Sequence, residues 1–279
     1  MPVTLFDNRF LPDTTRRAII YLYRARFADN RTSHYTRRAI EMLLMAAEAG
    51  NISAASMLGI AYHEGWGRLP QDSSLAARWL QQAAAARHRL ACYNLAILYD
   101  NGLGVEKNPN IARRYYTIAA KAGCSEAMYA VGTYYYWGHG IEPDYTKARK
   151  WFRRSAALGN AKAMQDLGRM YQRGVDGGRN AARAIRWFQQ AVAAGDSRAH
   201  IGLGIEYAIK EEFPQARQHL ELAAESDESH AMYLLGRWAE EGWDTPPNLA
   251  DARFWFRAAA ELGHEKAGFR LAGLEGEGF

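Results

Sequence analysis

The sequence predicts an all-α fold, a superhelical α-solenoid of about seven stacked antiparallel helix pairs. Three markers on one beat carry that expectation. An apolar residue followed by a small one recurs as Leu58-Gly59, Leu95-Ala96, Val131-Gly132, Leu167-Gly168, Leu203-Gly204, Leu235-Gly236 and Leu271-Ala272, at intervals of 37, 36, 36, 36, 32 and 36 residues. A mostly aromatic marker follows the same beat at Trp79, Tyr115, Trp151, Trp187, His219 and Trp255, with Leu43 placed 36 residues before Trp79. A glycine stands seven residues after the apolar anchor in five units, at Gly65, Gly102, Gly138, Gly174 and Gly242. A fixed period of this length is the signature of a repeat array.

Each unit reads as two helices. In "AKAMQDLGRMYQRG", Ala163, Leu167, Gly168 and Tyr171 fall on one helical face. The glycine then supplies a left-handed C-terminal cap without a Cβ penalty. A polar turn follows ("EKNPN", "IEPDY", "DTPPN"), and then a second helix such as "TKARKWFRRSAALG", with Ala148, Trp151, Phe152 and Ala156 as its apolar stripe. Alanine and glycine on the shared face allow close approach, and the Trp marker is expected to fill the space between neighbouring units. One pair cannot bury both its faces, so stacking is obligatory. The expected layout is an N-terminal extension at 1–13 and a single solenoid over 14–279. Within it lie a degenerate pair at 14–51, repeats at 52–88, 89–124, 125–160, 161–196, 197–227 and 228–264, and a partial repeat at 265–279. The fifth repeat, "GIEYAIKEEFPQA", lacks the turn glycines and is four residues shorter, which predicts a tight turn.

The chain of 279 residues, 48% hydrophobic and 23% charged, has neither a disordered nor a membrane composition. It contains no apolar run of the ~18 residues a membrane span needs. The opening "MPVTLFDNRFLPDTT" lacks a basic segment followed by an apolar one, so the expected location is the cytoplasm. Two cysteines, Cys92 and Cys124, make neither a disulfide framework nor a zinc site. The net charge of +5 hides an asymmetry: residues 1–200 hold 28 basic and 15 acidic residues, residues 201–279 hold 7 and 15. Solvated helix faces account for this layout, although it could also orient a charged partner.

The motif train "A…LG..Y..G.G…..D..KA..W…AA..G", nearly complete in "AMYAVGTYYYWGHGIEPDYTKARKWFRRSAALGN", resembles the Sel-one-like repeat, a relative of the tetratricopeptide repeat. The resemblance covers about residues 52–279. It implies a non-catalytic adaptor that joins protein complexes, or alternatively an immunity-type inhibitor of a toxic effector. A disulfide-rich branch linked to β-lactams places paired cysteines on each repeat. Here Cys92 matches the first position but Ala120 stands at the second, so that branch is not carried over.

Catalytic and nucleotide-binding motifs are absent. There is no G-x-S-x-G, S-x-x-K, H-E-x-x-H or G-x-x-x-x-G-K-[ST]. "GLGVEK", "GHGIEP" and "GLGIEY" are repeat turns or helix interior rather than dinucleotide loops. The eight histidines occupy different repeats or repeat positions, with no metal-ligand spacing, and no cofactor is expected. "HEGWG", with His63 and Glu64, is the nearest approach to an acid/base pair. Together with His139 it forms the alternative, enzymatic reading. Cations such as Arg149, Lys150, Arg153 and Arg154 belong to the solvated face of a second helix, so nucleic acid is not the expected partner.

By the resemblance, first helices line a concave side and point outward at −5, −2, +2, +5 and +6 from the anchor. These positions include Ser56, Ile60, His63, Glu64 and Gln165, and they assemble an expected partner-binding surface of Tyr93, Tyr129, Thr133, Tyr136, Trp137, Arg169, Gln172, Arg173, Tyr233 and Arg237. Tyr, Trp and Arg dominate binding hot spots, so a protein or peptide partner is expected. Within "TYYYWGHG", Tyr135 is assigned to the core, Tyr134 to a semi-buried place, and Thr133, Tyr136 and Trp137 to the binding face. The sequence leaves oligomeric state open.

Overall fold

The computed structural model describes Ala18 and residues 33–66 and 69–276. Among these residues there are fourteen helices and no strand. They are α1 (Ser33–Glu48), α2 (Ile52–Glu64), α3 (Ser73–Ala85), α4 (Arg89–Asn101), α5 (Pro109–Lys121), α6 (Ser125–Trp137) and α7 (Tyr145–Ala157). The remainder are α8 (Ala161–Arg173), α9 (Ala181–Ala193), α10 (Ala199–Ile209), α11 (Phe213–Ala224), α12 (Ser229–Glu241), α13 (Leu249–Glu261) and α14 (Glu265–Gly276). None is long and apolar enough to cross a membrane. The proposed extension at 1–13 and the start of the degenerate pair lie outside the described residues.

The chain divides into two compact units, Met1–Asp144 and Tyr145–Phe279. In unit 1, consecutive helices from α1 to α6 pack in antiparallel order, and the first helices α2 and α4 also touch. In unit 2 the same holds from α7 to α14, with further contacts of α8 with α10 and of α12 with α14.

The closest approach within a pair is made at the small residue after the anchor. A Cβ placed on Gly59 would come within 2.5 Å of Leu80, on Gly168 within 2.6 Å of Phe188, and on Gly236 within 2.5 Å of Phe256. The buried filler is therefore not the Trp marker but the residue after it: Leu80, Tyr116, Phe152, Phe188, Leu220 and Phe256 are buried, whereas Trp79, Tyr115, Trp151, Trp187 and Trp255 are only half-buried. Adjacent helix positions differ by about 100° around the axis, so only one of the two can face the glycine.

A second device fixes the turn. Five first helices end on a glycine at φ between 67° and 73°. The residue that opens the next helix then returns its backbone N–H to the end of the first helix, as Asp72 to Tyr62 (3.0 Å), Asn108 to Tyr99 (2.8 Å), Asp144 to Tyr135 (2.8 Å) and Asn180 to Tyr171 (2.8 Å). Asp72, Asn108, Asn180 and Asn248 also accept a backbone N–H from the first turn through their side chains.

The short fifth repeat departs from this pattern. Helix α10 has 11 residues, its C-cap is Lys210, and Glu211 takes the left-handed conformation at φ 60°. Its third residue after the anchor is Glu206, wholly buried where other repeats place Ala61, Leu98, Tyr134, Met170 and Trp238. Arg179, from the preceding turn, meets one oxygen at 2.6 Å, and the other oxygen, Oε1, is buried without a hydrogen-bond partner.

Candidate functional site

The expected binding residues fall into two sets, one per unit. In unit 1, Tyr93 on α4 is half-buried with its ring 5.9 Å from Tyr116 of α5. Burial, and then the neighbouring Cys124 and Glu126, push its phenol pKa up to about 12. Tyr116 and Tyr134 pack edge to face at 6.0 Å, and Tyr134 donates to Asp100 Oδ1 at 2.5 Å. Both phenols are raised, chiefly by burial. Tyr134 is 2% exposed, so it is core rather than semi-buried, while Tyr135 is the half-buried neighbour. Thr133 spends its hydroxyl on the Tyr129 carbonyl of its own helix (2.8 Å), and Tyr129 is half-buried. Tyr136, also half-buried, meets Trp137 edge-on at 4.9 Å, and Trp137 is 62% exposed.

In unit 2, Arg169 and Arg173 on α8 are exposed, the former 3.6 Å from Asp166. Gln172 between them is half-buried and its Nε2 is a buried donor without a hydrogen-bond partner. Tyr233 on α12 is half-buried, stacked 4.6 Å from His264 and 6.1 Å from His230, with Phe256 at 5.9 Å. Arg237 is held by Glu241 through bonds of 2.9 and 2.5 Å and lies 5.8 Å over Trp243. Burial alone would raise the Glu241 carboxyl, but hydrogen bonds from Trp243 and Arg237 hold it below its ordinary value.

A positional rule emerges within the repeats. The sixth residue after the anchor is exposed every time: Glu64, Asn101, Trp137, Arg173, Ile209 and Glu241. The fifth is half-buried in all six full repeats: His63, Asp100, Tyr136, Gln172, Ala208 and Glu240. The position two before the anchor does not point outward as expected. Ser56 and Gln165 are buried there, and Tyr93, Tyr129, Ile201 and Tyr233 are half-buried. Ile60, at +2, is buried as well.

The reason is visible where the next repeat begins. Tyr93 lies in the field of Cys124 and Glu126, and Tyr233 stacks on His264, so the −2 side chain is seam packing against the following first helix. Phe269 holds the −2 place on α14, where no further repeat follows among the described residues, and it is 79% exposed.

Cys92 and Cys124 are free and buried. Burial raises both thiols, Cys124 to about 11, which keeps them protonated and poor nucleophiles. Glu64 is exposed and accepts from Trp66 Nε1 at 2.8 Å, while His63 is half-buried with Nδ1 lacking a hydrogen-bond partner. His139 packs edge-on against Tyr134 at 5.3 Å. Among the described residues, no group of three or more His, Cys, Asp or Glu could hold a metal ion.

The Sel1 repeat pattern matches residues 36–51, 52–88, 89–124, 125–160, 161–196, 197–228 and 229–264. The chain belongs to the Sel1 repeat family. No curated protein matches the sequence. Among solved structures, c5321, a protective antigen present in uropathogenic Escherichia coli strains and displaying an SLR fold, is 28% identical. That match covers 96% of this chain with a TM-score of 0.79, and the present chain spans only 57% of that protein. A Sel1 repeat protein from Oxalobacter formigenes is 25% identical over 87% of this chain and 98% of its own, with a TM-score of 0.72. An immunity protein from Pseudomonas aeruginosa is 20% identical over 76% of this chain and 82% of its own, with a TM-score of 0.46, a likeness too slight to bear on function.

Proposed function

We propose that this Sel1 repeat chain is a non-catalytic scaffold that binds a protein or peptide partner through the C-terminal ends of its first helices. Sel1 repeat proteins generally bind protein partners. One observation carries the reading for this chain: Trp137, at the +6 position of α6, leaves 62% of its surface in water beside Tyr136. A large aromatic held on a rigid helix end, with few rotors to freeze, is the residue type that anchors interfaces. Arg173 holds the same +6 position on α8 in unit 2. The cytoplasmic setting belongs to the same reading and is supported by two free, buried thiols, which suit a reducing compartment.

The test is partner capture compared across variants, with captured proteins identified by mass spectrometry. Trp137→Ala, and separately Arg173→Ala, should each lose a specific partner while the melting temperature stays within a degree or two of wild type, as surface changes of below about 0.5 kcal/mol allow. Tyr93→Ala is the contrasting variant. As a seam residue it should cost about 2 kcal/mol of stability. Capture that survives both surface variants would overturn the proposal, and so would a collapsed melting temperature in the Trp137 variant.

A further inference from the structure

Unit 2 contains two histidine pairs that partner binding does not require. His200 of α10 and His219 of α11 place their Nδ1 atoms 2.9 Å apart. His230 of α12 and His264, the residue before α14, bring Nδ1 and Nε2 to 3.3 Å. The ring centres are 5.1 and 5.6 Å apart, longer than the nitrogen separations by twice a ring radius. The facing nitrogens therefore lie on the line between the centres, each aimed at the other. Head-on lone pairs suit an N–H···N hydrogen bond, whereas a shared metal ion needs them to converge from different directions.

In the second pair the direction of the hydrogen bond is fixed by a helix end. His264 Nδ1 lies 3.3 Å from the Ala267 backbone N–H, which also approaches the His264 carbonyl at 3.0 Å. A ring nitrogen that accepts carries no hydrogen, so neutral His264 holds its hydrogen on Nε2 and donates it to His230 Nδ1. His230 then carries its own hydrogen on Nε2. An added proton has no place in this relay. On His230 Nδ1 it would oppose the hydrogen on His264 Nε2, and on His264 Nδ1 it would oppose the Ala267 N–H.

We propose that His264 and His230 form an acid-released cap on α14, intact while both rings are neutral and broken when either takes a proton. The surroundings favour the neutral state. Burial foremost, and then His264, Lys266 of α14 and Arg169 of α8, act against positive charge on His230. The N-terminal turns of α12 and α14 do the same through their dipoles. Two acids stand at the same helix ends: Glu265 opens the first turn of α14, and Glu228 precedes α12, its own carboxyl raised chiefly by burial against the pull of Arg198 and Arg169. Tyr233 of α12 stacks on both imidazoles, so release of the cap also loosens its platform.

The chain supplies its own control. Asn51 and Asn160 occupy the equivalent place before α2 and α8 and accept from Ala54 and Ala163 at 3.0 Å. An amide cap does not titrate in this range, so His264→Asn should keep the helix end and remove its pH response. The experiment is amide hydrogen exchange on the full chain at pH 7.5 and 5.5, corrected for the intrinsic chemical rate. Wild-type α14 should lose protection by about threefold to fivefold relative to α8, the size expected when an N-cap is lost. The His264→Asn variant should show no such loss. Equal losses in the two proteins, or an α14 indifferent to pH, would overturn the proposal. Should the variant misfold, the nitrogen chemical shifts of wild-type His264 decide at neutral pH, with hydrogen on Nε2 supporting the cap and on Nδ1 refuting it.

Discussion

In unit 1 the first helices α2, α4 and α6 carry Glu64, Asp100 and Glu126 against one cation, Arg89, and end on Tyr136 and Trp137. In unit 2 the first helices α8, α10, α12 and α14 carry six Lys or Arg and six Asp or Glu, and His200 of α10 and His230 of α12 each pair with a histidine outside those helices. The buried frame is nevertheless the same in both, with a small residue of the first helix lying under a large apolar residue of the second. The difference teaches that the repeat prescribes its interior and leaves the ends of its first helices open to variation. One unit presents aromatic area, the other charge and titratable rings.

The largest expected effect tests whether the two units are separately stable. Phe188 is buried between Gly168 and Gly202. Its replacement by Ala should cost about 3–5 kcal/mol. In a stack where each repeat touches only its neighbours, the loss should stay in unit 2. Urea unfolding followed by hydrogen exchange would show protection lost across α8 to α12 and kept in α2 to α5. Equal loss in both units would show that they unfold as one body.

A smaller effect sharpens what is particular to unit 2. Arg179→Ala leaves Glu206 buried without its ion pair. Removing one partner of a buried pair is strongly destabilising, but Arg179 is 43% exposed, so a cost of about 2 kcal/mol is expected. Glu206→Leu in the same background should restore most of it, since the other repeats hold apolar or aromatic side chains there. Failure of that rescue would mean the carboxylate does more than fill a core position.

The smallest effect is in pH. His200, His219 and His230 in unit 2 are lowered chiefly by burial, whereas unit 1 has His88, lowered by burial and then by Arg89. A histidine lowered in the folded state is protonated first in the unfolded chain as pH falls. Its contribution is therefore complete above an ordinary value of about 6.5 and is lost as pH falls through the range below it. Denaturation midpoints at pH 7.5 and 5.5 should fall more for unit 2 than for unit 1, and a reversed order would contradict the assignment of the histidine pairs.

Much of this fold is legible in the sequence because helix pairing is a matter of period. The anchors, the C-cap glycines and the shortened fifth repeat all stand at countable intervals. Details that depend on rotation about a helix axis are less legible. Trp151 and Phe152 are adjacent in sequence, yet only Phe152 faces the pair, and Tyr134 and Tyr135 exchange their expected roles for the same reason. Contacts between repeats were harder still. His230 and His264 are 34 residues apart, as are Asp100 and Tyr134. A spacing just under one period brings two side chains together across a seam, and that was the available signal. For Glu206 it was a carboxylate at a position where Ala61, Leu98 and Met170 are apolar.

The exposed +6 residue has a consequence for how such a chain changes over time. Glu64, Asn101, Trp137, Arg173, Ile209 and Glu241 differ in size, charge and polarity, yet each is the exposed last residue of a first helix. Substitution there is nearly neutral for folding, so selection for a new partner can act on one residue per repeat without a compensating change in the core. The array behaves as a short written address whose characters can be changed one at a time.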